Sequence, residues 1–236
     1  MYAGNLVRLT VLAVATLLLA PADALAFDFM KTMNDGGPFM WAILVTFAFG
    51  IVIIVERTIA LNLKLHVKPE PFFDEIRQNV LKGNIKGAIE VCERKPDAAL
   101  SHVLKAALLK ADQPERVIQD AVDEADLEVL PKLQARTPYL NMIANVSTLM
   151  GLLGTILGLI AAFAGLAHAD PSQKQAVLAS GIAIAMNTTA FGLIAAIPCM
   201  IAHALLMGRT NSVVQKVDEY AVKLINLLIG LQKKAA

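Results

Sequence analysis

Among the polar side chains inside otherwise apolar stretches, Thr155 and the run Asn187-Thr188-Thr189 stand out. Hydroxyls can pass or solvate a proton, but they cannot store one near neutral pH. No Asp, Glu, Lys or Arg occurs in the apolar cores of the two stretches that carry them. If protons move along these residues, another chain must bring the titratable group. A lone Thr is commonly structural, because its hydroxyl can bond its own helix carbonyl. A polar cluster at mid-span is a functional candidate, because Asn in hydrocarbon needs a partner. Two roles stay open for Asn187, Thr188 and Thr189: lining an ion path, or holding helices together.

No other chemistry is supported. There is no Walker loop, no triad-like cluster and no metal-ligand spacing. His66, His102, His168 and His203 are scattered, and His203 reads as interfacial. Cys92 lies in a charged segment and Cys199 in an apolar one, without zinc-like spacing, so both are expected as free thiols. The net charge of +1 gives no basic field for nucleic acid. No catalytic residue, cofactor or metal is expected.

The elements that position the hydroxyls are membrane helices. The chain has 236 residues, 56% hydrophobic and 17% charged, against about 25% charged in soluble domains. Mean hydropathy is +0.59. Four apolar stretches stand out. The first follows Arg8 and ends in Ala24-Leu25-Ala26. Residues 1–26 are expected as a signal peptide, with an uncleaved anchor as the alternative, and 27–38 as a periplasmic N-terminus. The second stretch, 39–61, is uncharged from Phe39 to Val55 and closes on the boundary pair Glu56-Arg57. The third is 139–167 and the fourth 175–207, joined by a polar turn at 168–174. Each later stretch is long enough to cross a bilayer.

Residues 62–138 carry frequent charges of both signs and are expected as a helical cytoplasmic domain. Phe72, Ile76, Val80 and Leu81 fit one helix face, and Leu100, Val103, Leu104, Ala107 and Leu108 another. Gly83-Asn84 and Pro96-Asp97 read as breaks. Val117, Ala121, Leu127 and Leu130 carry a further helix to Pro131. Residues 208–236 form an amphipathic cytoplasmic helix through Val213, Val217, Tyr220, Leu224, Leu227 and Leu231, continuous with the fourth stretch. Arg57, Lys64, Lys68, Lys132, Arg136, Arg209 and Lys216 flank one side, and only Lys31 and Lys174 the other. The positive side is cytoplasmic, so the N-terminus is periplasmic and the C-terminus cytoplasmic.

The first mature span is bulky, with Trp41, Ile43, Phe47 and Phe49 among its residues. The next two carry small stripes. One runs through Ser147, Gly151, Gly154, Thr155, Gly158 and Gly165; the other through Gly181, Ala185, Thr188, Gly192, Ala195 and Cys199. Small stripes allow close helix approach in a bilayer. The last two spans are expected as the inner wall of a multi-helix bundle, with a hairpin packed only on itself as the alternative. Gly151, Gly154, Gly158, Gly192 and Pro198 are the packing candidates.

The segments LNMIANVSTLMGLLGTILGLIAAF (140–163) and GIAIAMNTTAFGLIAAIP (181–198) resemble the second- and third-span signatures of the ExbB/TolQ/MotA proton-channel family. The segment 36–61, with its closing Glu-Arg, is similar to the first span of ExbB-type members. The resemblance implies an all-α polytopic membrane protein with three mature spans, assembled as a homopentamer around a central pore. It implies a single-span ExbD/TolR/MotB-like partner, a dimer in the pore, whose membrane Asp takes up and releases protons. Thr155 and Thr189, with Thr188 beside them, match the family threonines that face that Asp. It further implies an inner-membrane complex driven by the proton-motive force, for TonB-type uptake with a TonB-like protein, Tol-type envelope maintenance or a gliding-type motor. Ile184 stands where ExbB and TolQ often carry Glu. A mid-span charge costs about 2.5–3.5 kcal/mol on insertion scales, so its loss is tolerable, and the subfamily stays open. The residues alone also admit a direct solute transporter subunit or a structural membrane scaffold.

Overall fold

The computed structural model describes Met33, residues 36–61 and residues 67–235. The expected signal peptide and most of 27–38 lie outside the described residues. Among the described residues seven helices with defined bounds follow one another, and there is no strand. They are α1 Gly37–Ile59, α2 Pro69–Leu81, α3 Ile85–Glu93, α4 Ala99–Leu109, α5 Glu115–Gln134, α6 Thr137–His168 and α7 Lys174–Ala235. Three of them, α1, α6 and α7, are long and apolar enough to cross a membrane. A bilayer core of about 30 Å needs about 20 helical residues, and α7 has 62. The tail is therefore one helix with the last span. Pro198 lies inside it without ending it.

The chain divides into two compact units, 1–55 with 138–204, and 56–137 with 205–236. In the first, α1 packs through Phe47 and Ile53 on a small core of Ile143, Ala144, Ala196 and Cys199. Gly50 brings its backbone close: a Cβ there would sit 2.8 Å from Cys199 Sγ. Val45, Phe49, Val52 and Val55 of α1 remain exposed. So do Leu149, Leu152, Ile156, Ile160 and Phe163 of α6, and Met186, Ile194, Ile197 and Ile201 of α7. A helix apolar all round belongs in a membrane or a larger assembly.

The second unit is a stack in which α2 packs on α3, α3 on α4 and α4 on α5. Asn84 caps α3, its side chain accepting from the Gly87 amide at 3.0 Å. Gly83, with φ +74°, makes the preceding turn in the left-handed region that glycine tolerates. Leu104, Leu108, Ile118 and Leu133 are fully enclosed. The tail end of α7 lies on this stack, burying Val217, Ala221, Leu224 and Leu228. Its Tyr220 ring sits 5.0 Å from that of Phe73. Gln232 donates to the Ala111 and Gln113 carbonyls at 2.7 and 3.0 Å, tying the tail to the α4–α5 turn. Cys92 is buried here, and desolvation pushes its thiol up to about 12. The thiolate is the reactive form, so Cys92 is inert packing.

Three sequence expectations are corrected. Leu81 is exposed, while Phe72, Ile76 and Val80 are buried. In α5 the buried face is Ile118, Val122, Ala125, Val129 and Leu133, with Val117 and Leu127 exposed. Pro131 does not end α5; the helix continues to Gln134. Proline costs a helix its own amide bond, but the chain turns only at Ala135 and at Arg136, whose φ is +60°.

Half-buried Asp126 of α5 is raised to about 6 by burial, and then by Asp218 and Asp123. A carboxyl whose folded pKa exceeds its unfolded value of 3.8 favours the fold when protonated, so its charge costs stability above pH 6. Asp126→Asn is expected to raise the thermal midpoint at pH 7.5. The gain should shrink as pH falls through 6 and vanish near pH 4, followed by circular dichroism in detergent.

Candidate functional site

The two small-residue stripes meet each other. A Cβ on Gly151 would lie 3.3 Å from Gly192 Cα and 3.3 Å from the Thr188 carbonyl oxygen. One on Gly192 would lie 2.8 Å from the Ser147 carbonyl oxygen and 3.0 Å from Gly151 Cα. One on Gly158 would lie 3.2 Å from Ala185 Cβ, and one on Gly154 would collide with the Thr188 side chain. The α6–α7 seam is thus a backbone-to-backbone contact over at least two helical turns. Half-buried Pro198 lies further along α7 and adds a helix position without an amide.

The seam distributes the polar residues unequally. Thr188 is 1% exposed, and its hydroxyl donates to the Ile184 carbonyl one turn back at 2.8 Å. It belongs to the packed seam. Thr189 is half-buried and reaches across, donating to the Gly151 carbonyl at 3.2 Å. Thr155 is half-buried too, donating to the Leu152 carbonyl of its own helix at 2.6 Å. The half-buried Asn187 side chain makes no hydrogen bond to another described residue. Thr155 stands one helical turn beyond Gly151, the residue whose carbonyl Thr189 reaches.

Each Thr hydrogen is committed to a carbonyl, which leaves oxygen lone pairs free to accept. Rotation about χ1 releases the hydrogen and makes the same group a donor. A protonated carboxyl needs an acceptor and an ionised one needs a donor, and a Thr hydroxyl serves either. Among the described residues, no group of three or more metal-ligating side chains comes together.

The sequence reading treated Glu56 and Arg57 as boundary markers only. In the second unit Arg57 is 4% exposed. Its Nη2 donates to the Leu133 carbonyl at 2.6 Å and to the Lys132 carbonyl at 3.3 Å. Thr210 of α7 donates to the same Leu133 oxygen at 3.5 Å. Glu56 pairs with Arg136 at 2.5 Å. A cation thus meets the carbonyl end of α5, where the helix dipole is negative. The last turn of α1 and Thr210 of α7 converge on one carbonyl oxygen in the last turn of α5. The available sequence signal was an Arg directly after 17 uncharged residues, Phe39 to Val55 and Glu56 aside, which begs for a partner.

Residues 94–219 match the sequence model of the MotA/TolQ/ExbB proton channel family. The chain is similar to the Tol-Pal system protein TolQ of Haemophilus influenzae, 36% identical over 126 residues, covering 50% of this chain and 55% of that protein. It is similar to the biopolymer transport protein exbB1 of Vibrio cholerae, 28% identical over 205 residues, covering 81% of this chain and 84% of that one. A putative ExbB homolog of Methanothermobacter thermautotrophicus is 23% identical over 192 residues, covering 80% and 66%. The chain therefore spans little more than half of the TolQ relative and most of the exbB1 relative.

Gly192→Val should force the seam apart and cost about 1–3 kcal/mol, as overpacking does. Gly208, whose Cβ would meet nothing within 4 Å, should accept Ala without loss. Thermal midpoints of the two purified variants check this. Arg57→Ala leaves the end of α5 without its charged donor, a loss of about 1.5–3 kcal/mol. The expected signature is faster amide hydrogen exchange through residues 133–140.

Proposed function

The chain belongs to the MotA/TolQ/ExbB proton channel family, and from that premise we propose that it is the hydroxyl-lined scaffold subunit of a proton-motive-force-driven motor complex. It is a multi-pass membrane protein. The reading places it in the bacterial inner membrane, with the N-terminus periplasmic and 62–138 and the tail cytoplasmic. The energy would pass to the periplasm or outer membrane, through TonB-type uptake, a Tol-type system or a gliding-type motor.

The observation that carries this reading is a mismatch. The apolar cores of the last two spans offer the hydroxyls of Thr155 and Thr189, with Thr188 packed beside them, but no carboxylate or ammonium. A proton relay needs a group that titrates. It is supplied, in this reading, by the membrane Asp of a single-span ExbD/TolR/MotB-like dimer, held inside a homopentamer of this chain. The apolar surface left exposed on α6 and α7 supports further copies around them. Half-buried Asn187 would find its partner there.

One charge crossing 100 mV is worth about 2.3 kcal/mol. When protonated, the partner's carboxyl can pass a wall of Leu and Ile. When ionised, it is held beside Thr155 and Thr189, which turn to donate. Alternation between the two states would rotate scaffold against dimer. A TonB-like protein is the further partner where the process is uptake.

Thr189→Val keeps the shape and removes the hydroxyl. It is expected to leave the oligomer assembled, seen by native mass spectrometry, while proton-coupled activity falls about tenfold or more, the loss of about one hydrogen bond at the barrier. Thr189→Ser should retain most activity. A fully active Thr189→Val protein would sink the assignment.

A further inference from the structure

Away from the membrane spans, α5 and the tail half of α7 flank an open cleft of about 330 Å³. Its walls are largely aliphatic, including Leu127, Leu133 and Val217. Asp123 and Asp126 of α5 and Asp218 of α7 also line it, and no cationic residue does. Leu127 stands 72% exposed at its edge. Gln119 donates to Asp123 at 3.1 Å. Among the described residues, no Lys or Arg pairs with any of the three carboxylates.

Three like charges around an apolar hollow repel one another, and the walls weaken the hydration of half-buried Asp126. A cation entering the cleft would relieve both costs, since low-dielectric walls focus the field of one sign. The aliphatic walls ask for hydrocarbon beside that cation. A Lys or Arg side chain has this make-up, an alkyl stem under a charged head. An anionic lipid headgroup has the wrong sign.

We propose that the cleft between α5 and α7 docks a cationic amphipathic segment of another protein, with Lys or Arg set among aliphatic residues. The head would meet Asp123, Asp126 and Asp218, and the aliphatic neighbours would cover Leu127 and Leu133. This mode is the helix-in-groove type, with charge giving specificity and on-rate. It is independent of the proton-pathway reading. Docking would also be pH-sensitive. Asp126 titrates near 6 because of burial and the two aspartates facing it, Asp218 from α7 and Asp123 from its own helix. Cation binding favours the ionised form, so affinity should rise as pH rises through that range.

The test uses the full-length chain in detergent and a fluorescein-labelled helical probe peptide of Leu and Lys, beside a twin with Glu for Lys. By fluorescence anisotropy at pH 7.5, the Lys probe should bind about tenfold or more tighter than the Glu probe. It should weaken as pH falls to 5. The triple change Asp123→Asn, Asp126→Asn, Asp218→Asn should erase the preference. Leu127→Lys, at an exposed position, should block the probe even if the triple variant fails to fold. Equal binding of both probes, or an unaltered Leu127→Lys protein, overturns the proposal. A photo-cross-linker at position 127 in native membranes gives the second readout. A product with a Lys- or Arg-bearing aliphatic segment of another protein supports docking. A product joining two copies of this chain, or one with lipid, overturns it.

Discussion

In a bilayer, apolar side chains gain nothing by leaving lipid for one another, so helices must hold together by close packing. That constraint governs the α6–α7 hairpin. Gly151 faces Gly192, Gly158 faces Ala185, and Thr188 fills the space that Gly154 leaves. The hydroxyls inherit their positions from this approach. Thr189 reaches the Gly151 carbonyl only because the two backbones lie close. A larger residue at position 151 would move the acceptor away and change what the hydroxyl presents.

In the second unit the corresponding constraint is polar. A buried guanidinium must be paired, because leaving it bare costs more than any surface ion pair returns. Arg57 is paired with carbonyls at the end of α5, not with a carboxylate. The Leu133 oxygen also accepts from Thr210. By contrast, the exposed pairs Arg94–Glu75 and Lys105–Glu93 are half-solvated, and such pairs contribute about 0–1 kcal/mol. The order at the Glu56–Arg136 end of this unit therefore rests on a few buried hydrogen bonds.

Much of this was legible in the sequence. Uncharged runs long enough to span gave α1, α6 and α7, and the breaks at Gly83-Asn84 and Pro96-Asp97 fall where helices end. The glycine spacings identified the stripes. They could not say what the stripes face, because a stripe fits a neighbour in the same chain as well as one in another. The same limit applied to Thr188 and Thr189, adjacent in sequence and about 100° apart on a helix. One is sealed in the seam and the other reaches across it. In α5, apolar residues occupy more than one face, so periodicity alone chose Val117 and Leu127 over Ile118 and Val129. Arg57 and Asp126 were missed for a different reason. Their partners lie about 75 and about 90 residues away in sequence, and only tertiary packing brings Leu133 or Asp218 to them.

The two chemistries in this chain are kept apart. The spans hold groups that bond protons without titrating, and the titrating carboxylates sit in the charged unit. A hydroxyl lining has an advantage over an acid lining for a rotary or gated path. It binds both states of a visiting carboxyl with modest strength, so neither state becomes a trap. A fixed carboxylate in the wall would repel the ionised visitor and lock the protonated one. The same reasoning explains why membership of a proton channel family is compatible with two last spans whose apolar cores contain no acid.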